Sequence, residues 1–429
     1  MIEFASEKIG EISMKTLSRR EFIATMGTIV AGGLAGMSLS EALAQPIEKL
    51  AENMPMRILG KTGWKTPIIG LGTMFYAKTY VGGKQASIST AESDRLLNTA
   101  LELGINTWET GRAYKNAEAM IGRVLSKHRN EIFVTSKSLK LKAGKQGILS
   151  DLDISLANLK TDHLDCFLLH NCSSETELNM ALVKDGSVEG LKKAQKDGKT
   201  RFIGITTHSC KAFMSALRSG VFDIHIMPYN PLSREFERGL ALAQKLNATV
   251  WNMKPFGCGD TGIGLLNYDP EDRCQLREVL TDEECLRFVL SNPGVTIAIP
   301  GSGTLDYLKR NVALAATFKP LTQSEREKVI AKAQRIAGGV CGLCAKPCEK
   351  VCKNDVPISF LLSGKQLDHR TIYDYRRIGE EYAVLSHDYW DCDGCGECEK
   401  VCPQKFEIRK DMLEAHNHFS DARASRMNH

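Results

Sequence analysis

Eight cysteines stand in two tight groups near the C-terminus. The first is Cys341-x2-Cys344-x3-Cys348-x3-Cys352; the second is Cys392-x2-Cys395-x2-Cys398-x3-Cys402, followed by Pro403. Thiolates this close in sequence can converge on one small inorganic centre, so two groups make two centres. The C-x2-C-x2-C-x3-C-P form of the second is the spacing that builds a [4Fe–4S] site, and the first differs by one inserted residue. Zinc in two four-cysteine sites is the competing reading, and structural disulfides are a third. The other six cysteines, Cys166, Cys172, Cys210, Cys258, Cys274 and Cys285, are scattered singly and read as packing residues.

A second set of residues suits proton transfer. Glu109, Tyr114, Lys137 and His170 each end, or closely follow, a short apolar run. A phenol titrates near about 10 and is a weak acid at neutral pH. A neighbouring ammonium favours the phenolate, a carboxylate beside the lysine holds the amine, and an imidazole can orient a carbonyl oxygen by a hydrogen bond. Together they can protonate a carbonyl as hydride reaches its carbon.

The elements that must bring these residues together are legible as alternation. Apolar runs at 67–72, 104–110, 131–137, 164–170, 201–206, 223–228, 248–255 and 295–300 are separated by amphipathic stretches such as SDRLLNTALEL, DLDISLANLK and VEGLKKAQKDG. This is the pattern of parallel strands with crossover helices, and eight units predict an α/β fold of the (β/α)8 TIM-barrel type. A doubly wound sheet is the runner-up, but no G-x-G-x-x-G follows the first strand. In such barrels the C-terminal ends of the strands carry the site, and three adjacent strands deliver Glu109 with Tyr114, then Lys137, then His170. GKTG at 60–63 lacks the first glycine of a phosphate loop, because position 55 is proline, and reads as a hairpin turn.

The chain of 429 residues is long enough for two or three domains. Its 43% hydrophobic and 25% charged residues are those of a globular protein, and a net charge of +5 spread along the chain argues against a nucleic-acid surface. At the N-terminus, Arg19-Arg20 precede an apolar run from Phe22 to Leu39, and ALA at 42–44 has the form of a cleavage site. This resembles a twin-arginine signal, with translation from Met14 leaving a short basic segment. A retained anchor and a cytoplasmic N-terminus are the alternatives. The expected organisation is a signal peptide at 1–44, a barrel at 45–320, and a helix with an iron–sulfur domain at 321–429. The protein is expected in the periplasm or otherwise exported, touching the membrane only during export.

Residues 57–315 resemble the aldo/keto reductase family. RILGKTGWKTPIIGLGTM (57–74), GINTWETGRAYKNAE (104–118), VTSK (134–137), LLH (168–170), GITTHS (204–209), PYN (228–230) and IPGSG (299–303) follow in the family's order. The resemblance implies a nicotinamide cofactor, NADP or NAD, bound without a Rossmann fold, and reversible conversion of a small-molecule carbonyl to an alcohol. It assigns Tyr114 as general acid, Lys137 as its tuner and His170 as the orienting histidine. Glu109 stands where the family has aspartate. On the cofactor side it points to Thr206 and Thr207, in place of Ser-Asn, to Met253 in place of a stacking tyrosine, and to Ser302, Arg310 and Asn311. The tail resembles a two-cluster bacterial ferredoxin, a small α+β or mostly irregular domain. There the fourth cysteine of each run crosses over, so Cys341, Cys344, Cys348 and Cys402 would hold one cluster and Cys392, Cys395, Cys398 and Cys352 the other. The expected function is an iron–sulfur oxidoreductase, with a redox partner protein for its clusters. The alternative is an exported iron–sulfur electron carrier on a catalytically weakened barrel.

Overall fold

The computed structural model describes residues 41, 46–74, 79–81, 84–86, 88–172, 174–256, 280–336, 341, 347–362, 387–402 and 405–426. Apart from Glu41, the expected signal segment with its cleavage site lies outside them, as do Cys258, Cys274 and Cys344. Among the described residues no helix is long and apolar enough to cross a membrane.

The described barrel segment opens with a hairpin, β1 (Met56–Ile58) antiparallel to β2 (Lys65–Pro67), with Arg57 opposite Thr66. Between them Gly60–Thr62 make a 3-10 turn closed by Gly63 at φ 69°, so GKTG is a hairpin turn. The turn carries Leu59, fully buried, into the barrel interior against Phe133, Cys166, Leu168, Ile224, Ile226, Trp251, Ile297 and Ile299. Arg57 ties the hairpin down by donating to the carbonyls of Leu290, Val295 and Thr296 at 2.9–3.0 Å. The hairpin thus plugs one mouth of the barrel.

The barrel strands follow: β3 (Leu71–Gly72), then, after a side hairpin of β4 (Thr79–Val81) and β5 (Lys84–Ala86), β6 (Thr107–Glu109), β7 (Phe133–Ser138), β8 (Leu164–Leu169), β9 (Thr200–Thr206), β10 (Ile224–Pro228), β11 (Thr249–Met253) and β12 (Ile297–Ile299). The eight, β3 and β6 to β12, pair in parallel in chain order. Ala298 N donates to Ile68 O at 3.0 Å, Gly70 N to Ala298 O at 2.8 Å, and Gly72 N to Pro300 O at 3.2 Å, which closes the sheet. The seam needs its glycines: a Cβ on Gly70 would lie 2.9 Å from Thr107 O, and one on Gly72 would lie 3.0 Å from Ile299 O. All eight apolar runs are therefore strands of one closed barrel, and the doubly wound alternative is excluded.

Helices cover the strands and bury their apolar stripes in a second layer of core. Capping boxes start two of them, Ser89 with Glu92 and Thr281 with Glu284. The helix Gln323–Ile336 lies against the barrel through Val329 and Ala333, with the Arg326 guanidinium 4.1 Å from the Phe288 ring centroid. Beyond it a separate core gathers Val356, Ile358, Leu361, Leu362, Ile408, Met412 and Ala415. Among the described tail residues the elements are short helices, a 3-10 turn at Tyr389–Asp391 and the helix Ile408–Arg426, with no strand.

One core residue makes the barrel sensitive to acid. On β10, Ile224 and Ile226 face the interior, so His225 faces the helices, where its ring meets Phe213 and Phe222 edge-on. Burial pushes its pKa down to about 4, against an opposing pull from the backbone of Thr249 and Ala216. Between pH 6.5 and about 4 the unfolded chain takes a proton there that the folded chain refuses, so stability falls as pH falls through this window. At about 1.4 kcal/mol per tenfold step, His225 contributes up to about 3 kcal/mol that is present above pH 6.5 and lost by pH 4. We expect the melting temperature to drop from pH 7 to pH 4.5, and the drop to shrink in His225→Leu. An equal drop in both proteins would refute this account.

Candidate active site

Four residues meet at the C-terminal rim. Glu109 ends β6 and Lys137 lies on β7, where strand pairing sets Glu109 beside Thr135. Lys137 is 1% exposed and Glu109 5%. The Lys137 ammonium donates to Glu109 Oε1 and, at 2.5 Å, to Thr110 O. Burial lowers the pKa of Lys137, while the charges of Glu109 and then Glu118 and the hydrogen bond to Glu109 raise it. Tyr114, in the loop after β6, donates to Glu109 Oε1 at 3.4 Å, and its ring centroid lies 4.4 Å from Lys137 Nζ. The His170 ring meets Tyr114 edge-on, centroids 5.7 Å apart. His170 is held well below the ordinary imidazole range by burial, then by the charges of Lys137 and His208, so it is neutral at physiological pH. Its Nδ1 is buried without a hydrogen-bond partner among the described residues.

The residues flanking Lys137 on β7 point the other way, into the helices. Ser136 Oγ donates to Glu118 Oε1 at 2.6 Å, and Ser138 Oγ to Asp151 Oδ2 at 2.6 Å. Glu118, fully buried, also accepts from Ser155 at 2.7 Å, Asn158 at 3.1 Å and Arg112 at 2.7 Å. Arg112 N donates in turn to Lys137 O at 3.0 Å. Sequence reasoning passed over Arg112, Glu118 and Asp151. Glu118 sits within the quoted GRAYKNAE segment, five residues before Arg123, and only its helical position makes it an inward carboxylate.

The residues expected on the cofactor side are mostly committed to protein contacts. Thr206 Oγ1 accepts from Asn171 N at 2.7 Å, and Thr207 Oγ1 donates to Ser209 O at 3.3 Å. Asn311 donates to Gly301 O at 3.3 Å and Ser302 Oγ at 3.0 Å, shaping the loop after β12. The guanidinium of Arg310 lies 2.7 Å from the buried carboxylate of Asp282. Met253 is half-exposed at the end of β11 and packs against the barrel interior. Also missed from the sequence is a chain along this part of the rim: Lys254 Nζ lies 3.2 Å from His208 Nε2, and His208 Nδ1 2.8 Å from Asn171 Oδ1.

In the tail, Cys341, Cys348 and Cys402 are buried in the separate core, and Cys352, Cys392 and Cys398 pack against it half-buried. Cys395 is exposed. The Cys398 thiol is pushed up to about 11 by burial, then by Glu399 and the nearby sulfurs of Cys392 and Cys395. The two short helices Pro347–Val351 and Glu397–Lys400 pack on each other. Among the described residues no three His, Cys, Asp or Glu side chains already converge as metal ligands. The scattered Cys166, Cys172 and Cys285 are buried and Cys210 is half-buried.

A closed parallel barrel thus brings a tyrosine, a lysine, a carboxylate and a histidine together at the C-terminal ends of its strands. Residues 68–263 match the sequence model of the aldo/keto reductase family. The chain is 24% identical over 307 residues to the uncharacterized oxidoreductase YqkF of Bacillus subtilis (strain 168), covering 63% of this chain and 94% of that protein. It is 27% identical over 256 residues to the methylglyoxal reductase YeaE of Escherichia coli (strain K12), covering 58% and 85%. Among solved structures, its fold matches aldo-keto reductase AKR11C1 from Bacillus halodurans in the holo form, with TM-score 0.54 and 24% identity over 65% of this chain and 96% of that one. These comparisons support the aldo/keto reductase family for the barrel, and the homologues indicate an NAD(P)-dependent oxidoreductase.

The shell behind Lys137 has a measurable worth. Glu118→Ala leaves four donors and part of the Arg112 charge without their acceptor, a loss of about 3–5 kcal/mol by the usual cost of breaking a buried pair. Chemical denaturation of the full chain measures it. A loss below about 1 kcal/mol, the size of an exposed ion pair, would show that the network carries no stability.

Proposed function

We propose that the barrel reversibly reduces a small-molecule carbonyl with hydride from a nicotinamide cofactor, with Tyr114 as general acid. The observation that carries this reading is the contact of Tyr114 with Glu109, Lys137 and His170 on one rim. The residues present fit the cofactor at the rim: His170 Nδ1 is a buried polar atom without a described partner, and Met253 at the end of β11 is half-exposed. Bound there, a nicotinamide supplies the hydride. His170, neutral, hydrogen-bonds the carbonyl oxygen and sets its direction. Tyr114 gives that oxygen its proton as the carbon–oxygen double bond opens. The phenolate left behind faces the Lys137 ammonium, which Glu109 and the Thr110 carbonyl keep in place. A relative 30% identical over 186 residues, covering 39% of this chain and 55% of that protein, is the NADPH-dependent codeinone reductase 1-1 of Papaver somniferum, which makes NADP the first cofactor to try.

The same proposal gives the tail two [4Fe–4S] clusters. The donor set fits: of the seven described tail cysteines, three are buried in one apolar nest and three more lie against it. Cys341, Cys344, Cys348 and Cys402 would hold one cluster and Cys352, Cys392, Cys395 and Cys398 the other, which makes a one-electron relay available beside the barrel. The second reading, an electron carrier on a weakened barrel, draws on the commitment of Thr206, Thr207, Arg310 and Asn311 to protein contacts.

Two experiments test these readings. Tyr114→Phe removes only the hydroxyl, so single-turnover hydride transfer from NADPH should slow by about 10²–10⁴, the worth of a placed acid; a rate equal to the parent's would put the electron-carrier reading in front. Anaerobically purified protein should contain about eight irons per chain with matching acid-labile sulfide. Stoichiometric zinc without sulfide would overturn the clusters.

A further inference from the structure

Tyr114 sits in the middle of a turn whose two ends are pinned to each other. Before it, the chain runs on beside β7: Thr110 N donates to Thr135 O and Arg112 N to Lys137 O, both at 3.0 Å. After it, the helix Ala117–Leu125 carries Glu118 in its first turn. Between these two anchored stretches lie two tight turns, closed by Tyr114 N on Gly111 O and by Ala117 N on Tyr114 O, both at 2.9 Å. Lys115, between the turns, has φ 49°, a left-handed conformation that a side chain disfavours and that surrounding structure must hold. Ala113, Lys115 and Asn116 are exposed, so burial of their side chains does not supply that hold.

The side chain of Arg112 spans the turn. Its Nη1 donates to Glu118 Oε2 at 2.7 Å, six residues on, and its Nε lies 4.0 Å from Asp151 Oδ1. Both carboxylates are fixed from other directions. Glu118 is fully buried and also accepts from Ser136, Ser155 and Asn158. Asp151 accepts from Ser138 at 2.6 Å and has Lys140 Nζ at 3.2 Å. A guanidinium is a planar fork, so carboxylates on two helices, Ala117–Leu125 and Gly144–Leu159, set its plane as well as its reach. One half-buried residue thereby ties the loop of the phenol to β7 and to both helices. Small displacements matter here. The Tyr114 hydroxyl is 3.4 Å from Glu109 Oε1, the long end of a hydrogen bond, and a slightly wider gap would end the contact.

We propose that Arg112 is the positioning residue of Tyr114: its pair with Glu118 closes the turn and holds the phenol against Glu109 and Lys137. The catalytic side of this role rests on the carbonyl-reduction reading. Arg112→Met removes both ion pairs and keeps the backbone N–H on Lys137 O. In the full chain, single-turnover hydride transfer from NADPH should then slow by about tenfold to a hundredfold, the cost of a misplaced group, while NADPH affinity is unchanged. Arg112→Lys should recover part of the rate. In the Tyr114→Phe background Arg112→Met should slow transfer no further, because both changes act on one group. A general loosening of the barrel would instead add its loss to that of Tyr114→Phe. A second readout needs no turnover. A ring-fluorinated tyrosine in place of Tyr114 gives one fluorine resonance, which Arg112→Met should move towards that of the free amino acid. A resonance left where the parent has it overturns the proposal, as do additive losses with Tyr114→Phe. Should Arg112→Met not fold, Arg112→Gln, which removes the charge and the tie to Asp151 but keeps a donor for Glu118, is read by the same criteria. If Tyr114→Phe alone transfers hydride as fast as the parent, the reduction reading falls, and a moved resonance still supports the positioning role. The two therefore fail separately.

Discussion

Placing the Lys137 ammonium out of water is the constraint around which the rim is built. Removing such a charge from solvent costs several kcal/mol unless its hydrogens are taken up. Glu109 and the Thr110 carbonyl take them up, and both come from the strand paired beside Lys137. Room is needed too: a Cβ on Gly111 would stand 3.3 Å from Nζ and 3.5 Å from the lysine's own Cβ. The ammonium adds to the burial that holds the pKa of His170 low, and it underlies the Tyr114 ring. Carboxylate, phenol and imidazole thus gather around one buried charge.

Strand alternation carries this constraint outward. Lys137 faces its partners at the rim, so Ser136 and Ser138 must face the helices. Each finds a carboxylate there, Glu118 and Asp151, on two successive helices. Arg112 joins the layers, its side chain on Glu118 and its N–H on the Lys137 carbonyl. A polar layer thus lies between strand and helix behind Lys137. Here it fixes the strand that holds the buried charge, and Glu118 adds a second negative charge near enough to favour the ammonium.

Local pattern was enough for the strands. PIIGLG, EIFVTSK and LDCFLLH are apolar runs of strand length, and the polar residues that end them fall on the rim because parallel barrels put every strand end on one side. What local pattern hid depends on contacts distant in the chain. Asn171, His208 and Lys254 come from loops 37 and 46 residues apart, and Lys254 adopts a φ value that its residue type does not announce. The hairpin of Leu59 plugs a barrel mouth that closes only when Ala298 meets Ile68. Family position named Arg310 and Asn311 without revealing direction. Asp282 lies next to the arginine, and the asparagine braces its own loop.

The extra methylene of Glu109 changes what the phenol meets. Its Oε1 atom contacts the lysine and still lies within 3.4 Å of the Tyr114 hydroxyl, while the ammonium sits 4.4 Å from the centroid of the ring. A carboxylate beside the hydroxyl favours the protonated phenol, whereas an ammonium against the π-face favours negative charge within the ring. In the proposed reduction the first influence favours the proton on oxygen before transfer. Once an acceptor oxygen takes that proton, the second would stabilise the phenolate left behind. The two charges would therefore act on opposite sides of the proposed transfer.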